Sequence, residues 1–297
     1  MTPAAILIVL VAAVLHATWN YWAKRAGGGL PFVYLVGLLI NAGYIPVIAV
    51  YWYFKHPSLP PIALVAIFVS GILKTGYSLF LQRGYRSGDF SLIYPLARGT
   101  GPLLSALGAI LIFGERPSAV ALLGALVIVG SIFWLAGGHQ WFRAFNDPLH
   151  PKNATQAARR AAIYGITSGV FIAAYTLWDK RGVGHLMIAP LIYDAGTALT
   201  QLILLAPFAW RRRGEVAREW REHRANAFIM AGASPVGYVL ILTAMQFTPV
   251  SYVAPAREIS ILIGMFFGAR FLKEADARRR VWAAAAMVAG IVALALG

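Results

Sequence analysis

The chain has 297 residues, 59% of them hydrophobic and only 12% charged, with a mean hydropathy of +0.68 and a formal net charge of +15. A soluble domain of this length keeps an extensive polar surface, so the composition excludes a single water-soluble core and points to a protein solvated largely by lipid. The absence of cysteine excludes disulfides, thiol catalysis and thiolate metal sites.

Crossing a bilayer takes about 20 apolar residues, and runs of that kind recur ten times. They are predicted at 3–23, 31–54, 61–82, 90–113, 118–137, 161–179, 186–209, 225–246, 251–272 and 281–297. The first begins at Thr2 with no basic residues before it, so it reads as a retained helix rather than a signal peptide. Short connections such as Gly114–Pro117 and Phe247–Pro249 make successive helices antiparallel neighbours.

The first span carries His16, Trp19 and Asn20 at three- and four-residue spacing, so all three share one helix face. That face suits either a cavity lining or an interhelical hydrogen-bonding stripe. Lys74 lies midway along the third span, followed by Gly76-Tyr77, and the fourth opens on Tyr94-Pro95 and continues through Arg98 to Pro102. Between the fifth and sixth spans, 138–160 is the longest polar connection.

Beyond it, much of the text returns in the same order. Trp22-Ala-Lys24-Arg25 reappears as Trp178-Asp-Lys180-Arg181, and Pro31, Tyr34 and Gly37 as Pro190, Tyr193 and Gly196. Gly76-Tyr77 reappears as Gly237-Tyr238. Ala97-Arg98, with Glu115 behind it, reappears as Ala256-Arg257 with Glu274 at the same spacing. Five spans per copy is an odd number, so the second copy lies inverted in the membrane. The fold class is therefore an all-α integral membrane protein of ten transmembrane helices as two inverted five-helix repeats, 1–137 and 161–297, joined by 138–160. This is the plan of secondary transporters, whose substrate site lies near the bilayer midplane. Pro95 and Pro255 stand at nearly matching points of the fourth and ninth spans and predict interrupted helices there, or packing kinks.

Of the 26 Lys and Arg, three lie deep within spans (Lys74, Arg98, Arg257) and four on one face (Lys55, Arg116, Lys180, Arg181); the rest are in the odd-numbered connections or, for Arg270, at the span end that leads into one. The positive-inside rule places those connections in the cytoplasm and both termini outside. The charge thus follows from topology and needs no nucleic acid. The basic stretch 211–224 suits anionic headgroups, and the Trp-Lys-Arg pairs read mainly as interfacial anchors.

An ionisable side chain within a span marks a functional site unless it merely pairs to hold the bundle. Lys74, Arg98 and Arg257 are candidates to hold an acidic group, since guanidinium matches carboxylate or phosphonate in a bidentate way. Glu258 and Asp194 are competing candidates for proton coupling, and Glu258 has no acidic counterpart in the first copy, where Gly99 stands. His16, Trp19, Asn20, Tyr77, Tyr94, Tyr238 and Tyr252 complete the expected substrate lining. No catalytic set is legible: Ser105 and Ser234 lack a base, six scattered histidines give no zinc motif, and no cofactor motif survives scrutiny.

Tyr94-Pro-Leu-Ala-Arg-Gly-Thr-Gly-Pro-Leu-Leu and Phe113-Gly-Glu-Arg-Pro117 resemble the EamA-type branch of the drug/metabolite transporter superfamily, as do Leu15-His-Ala-Thr-Trp-Asn20 and the Trp-x-Lys-Arg pairs. The resemblance spans essentially the whole chain and is degenerate at Leu272-Lys-Glu274. It implies the same ten-helix inverted fold, export of small metabolites, amino acids or drugs, and a helix-boundary role for Glu115 and Glu274. It also implies cytoplasmic termini, against which the charge bias argues, and the charge bias is followed. The expectation is a non-enzymatic secondary transporter, an exporter, in the cell's inner or plasma membrane. Its substrate is a zwitterion or organic anion, moved by alternating access with proton coupling or exchange. The partners are the small molecule and the bilayer, and the protein is a monomer or weak homodimer. An organic-cation exporter and a non-transporting accessory protein are the alternatives.

Overall fold

The computed structural model describes residues 1–26, 29–87, 90–135, 152–263 and 277–297. The expected connection lies outside them from 138 to 151, as do Leu272-Lys-Glu274 and the side chains of Lys24, Tyr94 and Pro95.

Among the described residues the fold is all-helical. The helices are α1 (Pro3–Arg25), α2 (Leu30–Lys55), α3 (Pro61–Ser87), α4 (Phe90–Phe113) and α5 (Ala119–Leu135), then α6 (Lys152–Lys180), α7 (Pro190–Trp210), α8 (Arg213–Phe247), α9 (Val250–Ala256) and α10 (Ala277–Leu296). A π-helical turn, Arg181–His185, extends α6. Six helical stretches are long and apolar enough to cross a membrane, in α1, α2, α3, α4, α7 and α8; Ala119–Trp134 and Trp282–Leu296 are shorter apolar helices.

Local chemistry sets several ends. Pro31 and Pro190 fall in the first turns of α2 and α7, where the missing N–H has no intrahelical partner to lose. Gly29 precedes α2 with φ of 106°, a conformation that costs glycine little. The basic stretch joins the eighth span as one long helix, kinked at His223, whose backbone is non-helical (φ −128°, ψ 18°).

The two prolines expected to break matching spans behave differently. α4 runs unbroken through Pro95 and Pro102. Pro95 is the sixth residue of α4, as Pro255 is of α9, so position from the helix start does not separate them. The ninth span does break: α9 ends at Ala256, residues 257–258 form a turn, and helix resumes at 259. Pro255 lies just before that turn, which is closed by tight Glu258 N–H to Pro255 O and Ile261 N–H to Glu258 O bonds of 3.0 and 2.9 Å.

Burial is inverted relative to a soluble protein. Leu111 (82%), Leu296 (81%) and Ile45 (71%) are exposed, whereas Arg98, Asp179, Asp194, Arg257 and Glu258 are buried. Large apolar side chains facing outward along long helices fit a lipid surround.

The chain divides into two compact units, each drawing on both halves of the sequence. One comprises Met1–Ile6, Gly76–Leu177 and Pro249–Gly297; the other comprises Leu7–Thr75 and Trp178–Thr248. In the first, α5 packs along α10 while α4 packs on α5 and α9. In the second, α2 packs on α7 and α8, and α8 also meets the π-helical turn.

Candidate functional site: two buried charge clusters

In the unit built from Leu7–Thr75 and Trp178–Thr248, Lys74 of α3 meets two carboxylates. Its Nζ lies 3.4 Å from Asp179 Oδ2 on α6 and 3.6 Å from Asp194 Oδ1 on α7. Nζ also donates to Thr197 Oγ1 at 2.9 Å and sits 4.2 Å from the Tyr238 ring centroid, a cation–π geometry. Hydroxyls close around the acids. Ser70, Tyr193 (2.9 Å) and Tyr238 donate to Asp179, and Tyr44 donates to Asp194 at 2.6 Å.

The sequence pattern explains this convergence. Ser70 and Lys74 are four apart on α3, and Asp194 and Thr197 three apart on α7, so each helix turns a short polar stripe out of an otherwise apolar surface. Close packing brings the stripes together. A Cβ on Gly71 would stand 2.5 Å from Thr200 Cβ, and one on Gly196 would stand 2.6 Å from Ile67 Cγ2.

The other unit holds the arginines. Arg98 Nη2 of α4 lies 2.9 Å from Glu258 Oε2 and donates to Ser260 Oγ at 3.2 Å. The charge of Arg257 acts on the same carboxylate. Glu258 is fully buried, and Arg98 and Arg257 are 6% and 4% exposed. Arg98 meets Glu258 at ion-pair distance, though neither Glu258 oxygen accepts a well-aligned hydrogen bond among the described residues. The backbone turn at 257–258 presents Arg257 and Glu258 side by side, and the two copies' arginines converge on one acid.

The remaining predicted residues are dispersed. His16 and Trp19 are half-buried and meet edge to face with centroids 4.7 Å apart, while the Asn20 amide bonds back to His16 O at 2.9 Å. Tyr77 packs on Tyr175 at 6.0 Å. The Tyr252 hydroxyl donates to Gly297 O (3.2 Å) and accepts from Ser118 N–H (3.4 Å), tying α9 to the ends of α5 and α10. Glu115 lies at a helix boundary and accepts the Val250 and Ser251 N–H groups that open α9, at 2.8 and 2.9 Å. Trp178 donates to Ala66 O at 2.8 Å, and Lys180 donates to Met245 O and Thr248 O at the C-terminal end of α8. Both side chains thus make bonds within the fold.

Sequence reasoning missed Asp179, together with Tyr44, Ser70, Tyr193 and Thr197. Asp179 stands at the last residue of the predicted sixth span and inside a motif read as an anchor. α6 and its π-helical turn actually continue to His185, which carries Asp179 inside the helix. The legible signal was that Asp179 has only Ala23 opposite it in the first copy's motif.

No curated protein matches this chain. A solved structure described as "Crystal structure of protein" is similar over 100% of this chain and 99% of its own, with a TM-score of 0.73 and 17% identity, which is a likeness of fold. The EamA-like transporter family matches twice, over residues 3–137 and 159–296, covering two repeats. With its apolar helices this makes the protein a multi-pass membrane protein. Matched across nearly its whole length, the chain belongs to the EamA-like transporter family of the drug/metabolite transporter superfamily, a family of transporters and not of enzymes.

Proposed function

We propose that the protein is a secondary active transporter that exports a small polar metabolite bearing an acidic group, such as an amino acid or other organic anion. One observation carries the reading: Arg98 is buried against the carboxylate of Glu258 at the break in the ninth span, and the charge of the buried Arg257 acts on the same carboxylate. Guanidinium binds carboxylate or phosphonate through paired, directional hydrogen bonds, and in a low-dielectric surround buried groups of this kind favour an anionic ligand. Glu258 already occupies part of that binding capacity, so it competes with the acidic group of the substrate. Movement is by alternating access, with a proton or a counter-substrate as the driver.

The architecture that goes with this reading is ten transmembrane helices in two inverted repeats. The odd number of predicted spans in each copy supports the inversion, and the lopsided distribution of Lys and Arg supports termini outside the cytoplasm of a cell inner or plasma membrane. The partners are the small molecule and the bilayer, and the protein works as a monomer or weak homodimer.

A thermal-shift panel of amino acids, dicarboxylates, phosphonates and organic cations on the purified protein tests the substrate class. A ligand present at 100 times its Kd stabilises the fold by about 2.7 kcal/mol. The expected stabilisers carry an acidic group, and their effect falls at least tenfold in apparent affinity in Arg98→Lys, which keeps the charge but loses the fork. Stabilisation by organic cations alone would contradict the reading.

A further inference from the structure

Asp179 and Asp194 share one ammonium group but not one environment. Asp179 Oδ1 accepts from Ser70 and Tyr193, and its Oδ2 accepts from Tyr238 and faces Lys74 at 3.4 Å. Three hydroxyl donors and the facing ammonium group fill about all the lone-pair sites a carboxylate has, and its side chain has no exposed surface. Asp194 is served differently. Tyr44 donates to its Oδ2, while Oδ1 faces Lys74 at 3.6 Å, beyond hydrogen-bond reach, and the side chain keeps 11% of its surface exposed. Among the described residues, the charged groups acting on Asp194 are Lys74 of α3 and Asp179 of α6. The neighbouring titratable hydroxyls are Tyr44 of α2, Tyr193 of α7 and, beyond Asp179, Tyr238 of α8.

The cluster therefore holds two acids and one ammonium, an excess of one negative charge within the apolar interior. Such an excess is expensive unless a further cation completes the set. Among the described residues of this cluster, the under-served carboxylate oxygen is Asp194 Oδ1. We infer that Asp194 is an exchangeable proton-binding site, carrying its proton on Oδ1 while Asp179 remains the ionised partner of Lys74. On release the O–H bond breaks and the proton passes to water at the exposed edge of Asp194. Lys74 is then shared between two carboxylates nearly equidistant from it. This deepens the transport reading by naming the proton as coupling ion and Asp194 as its carrier.

The test needs no substrate, so its outcome is independent of the arginine site. Infrared difference spectra of the purified full-length protein are recorded between acidic and alkaline pH, and the carbonyl stretch of a protonated carboxyl group is followed. The expected result is a band that disappears on raising the pH, is absent from Asp194→Asn, shifts in frequency in Tyr44→Phe, and stays in place in Tyr238→Phe and Glu258→Gln. If Asp194→Asn does not fold, the Tyr44→Phe and Tyr238→Phe spectra decide the assignment. A band that survives in Asp194→Asn, vanishes in Glu258→Gln or moves with Tyr238→Phe rather than Tyr44→Phe overturns the inference, as does the absence of any such band.

Discussion

Lys74 is tolerable in an apolar helix because two carboxylates, a threonine hydroxyl and an aromatic face surround its ammonium group. Removing one member of such a set strands the others. Lys74→Met is expected to destabilise the protein by about 3–5 kcal/mol, the usual penalty for leaving a buried partner uncompensated. Adding Asp179→Asn in the same chain restores part of that loss, and thermal unfolding in detergent checks both changes. Equal stability of wild type and Lys74→Met would show that the cluster is not electrostatically coupled. At this scale the charges within the fold were legible, because Lys74, Asp194, Arg98, Arg257 and Glu258 interrupt apolar text, where a charge needs a partner or a cavity. Asp179 was not legible, because its assignment hung on where a helix ends. Hydroxyls such as Tyr44 and Tyr193 read as ordinary span residues until tertiary packing gives them an acid to meet.

At the scale of elements, α9 depends on a cap borrowed from another part of its unit. A seven-residue helix has little intrinsic stability, and the Glu115 carboxylate satisfies its first N–H groups while complementing its dipole. Glu115→Ala is expected to cost about 1–2 kcal/mol of stability, with Glu115→Gln recovering part of it; loss of a side-chain cap has effects of that size. A second element-level contact is the crossing of α5 and α10. A Cβ on Gly124 would stand 2.5 Å from Gly290 O, and one on Gly290 would stand 2.8 Å from Gly124 O. Backbones this close tolerate no side chain. Gly290→Leu should prevent purification of folded protein, whereas Gly43→Ala, with open space around the glycine, should leave the melting temperature unchanged within a degree or two. Among the described residues hydropathy located the six long apolar helices, because in lipid the length of an apolar run sets the element. It did not distinguish a proline that breaks a span from one that does not. Pro95 and Pro255 have similar sequence contexts and are each the sixth residue of their helix, so neither context nor distance from a helix start separates them.

At the scale of the whole molecule, the expectation with the widest reach is the orientation of the chain. Because the protein contains no cysteine, single introduced thiols report sidedness without background. With the basic connections inside, Ser58→Cys should react with an impermeant maleimide on intact cells, and Gly214→Cys only after permeabilisation. The reverse pattern would place the termini in the cytoplasm. The repeat was legible from short matched runs, since the same residue types return in order. The division into two units was not legible, because each unit assembles helices from both copies.

The central claim is that the buried guanidinium groups beside Glu258, that of Arg98 first, bind the transported acid. Its most direct measurement is counterflow of the best acidic stabiliser into proteoliposomes, comparing wild type with Arg98→Gln/Glu258→Gln, which removes one charge of each sign and so leaves the net charge of the buried set unchanged. The account predicts rapid uptake by wild type and a loss of at least a hundredfold in the double variant, which still melts as a folded protein. Undiminished uptake by that variant would contradict it.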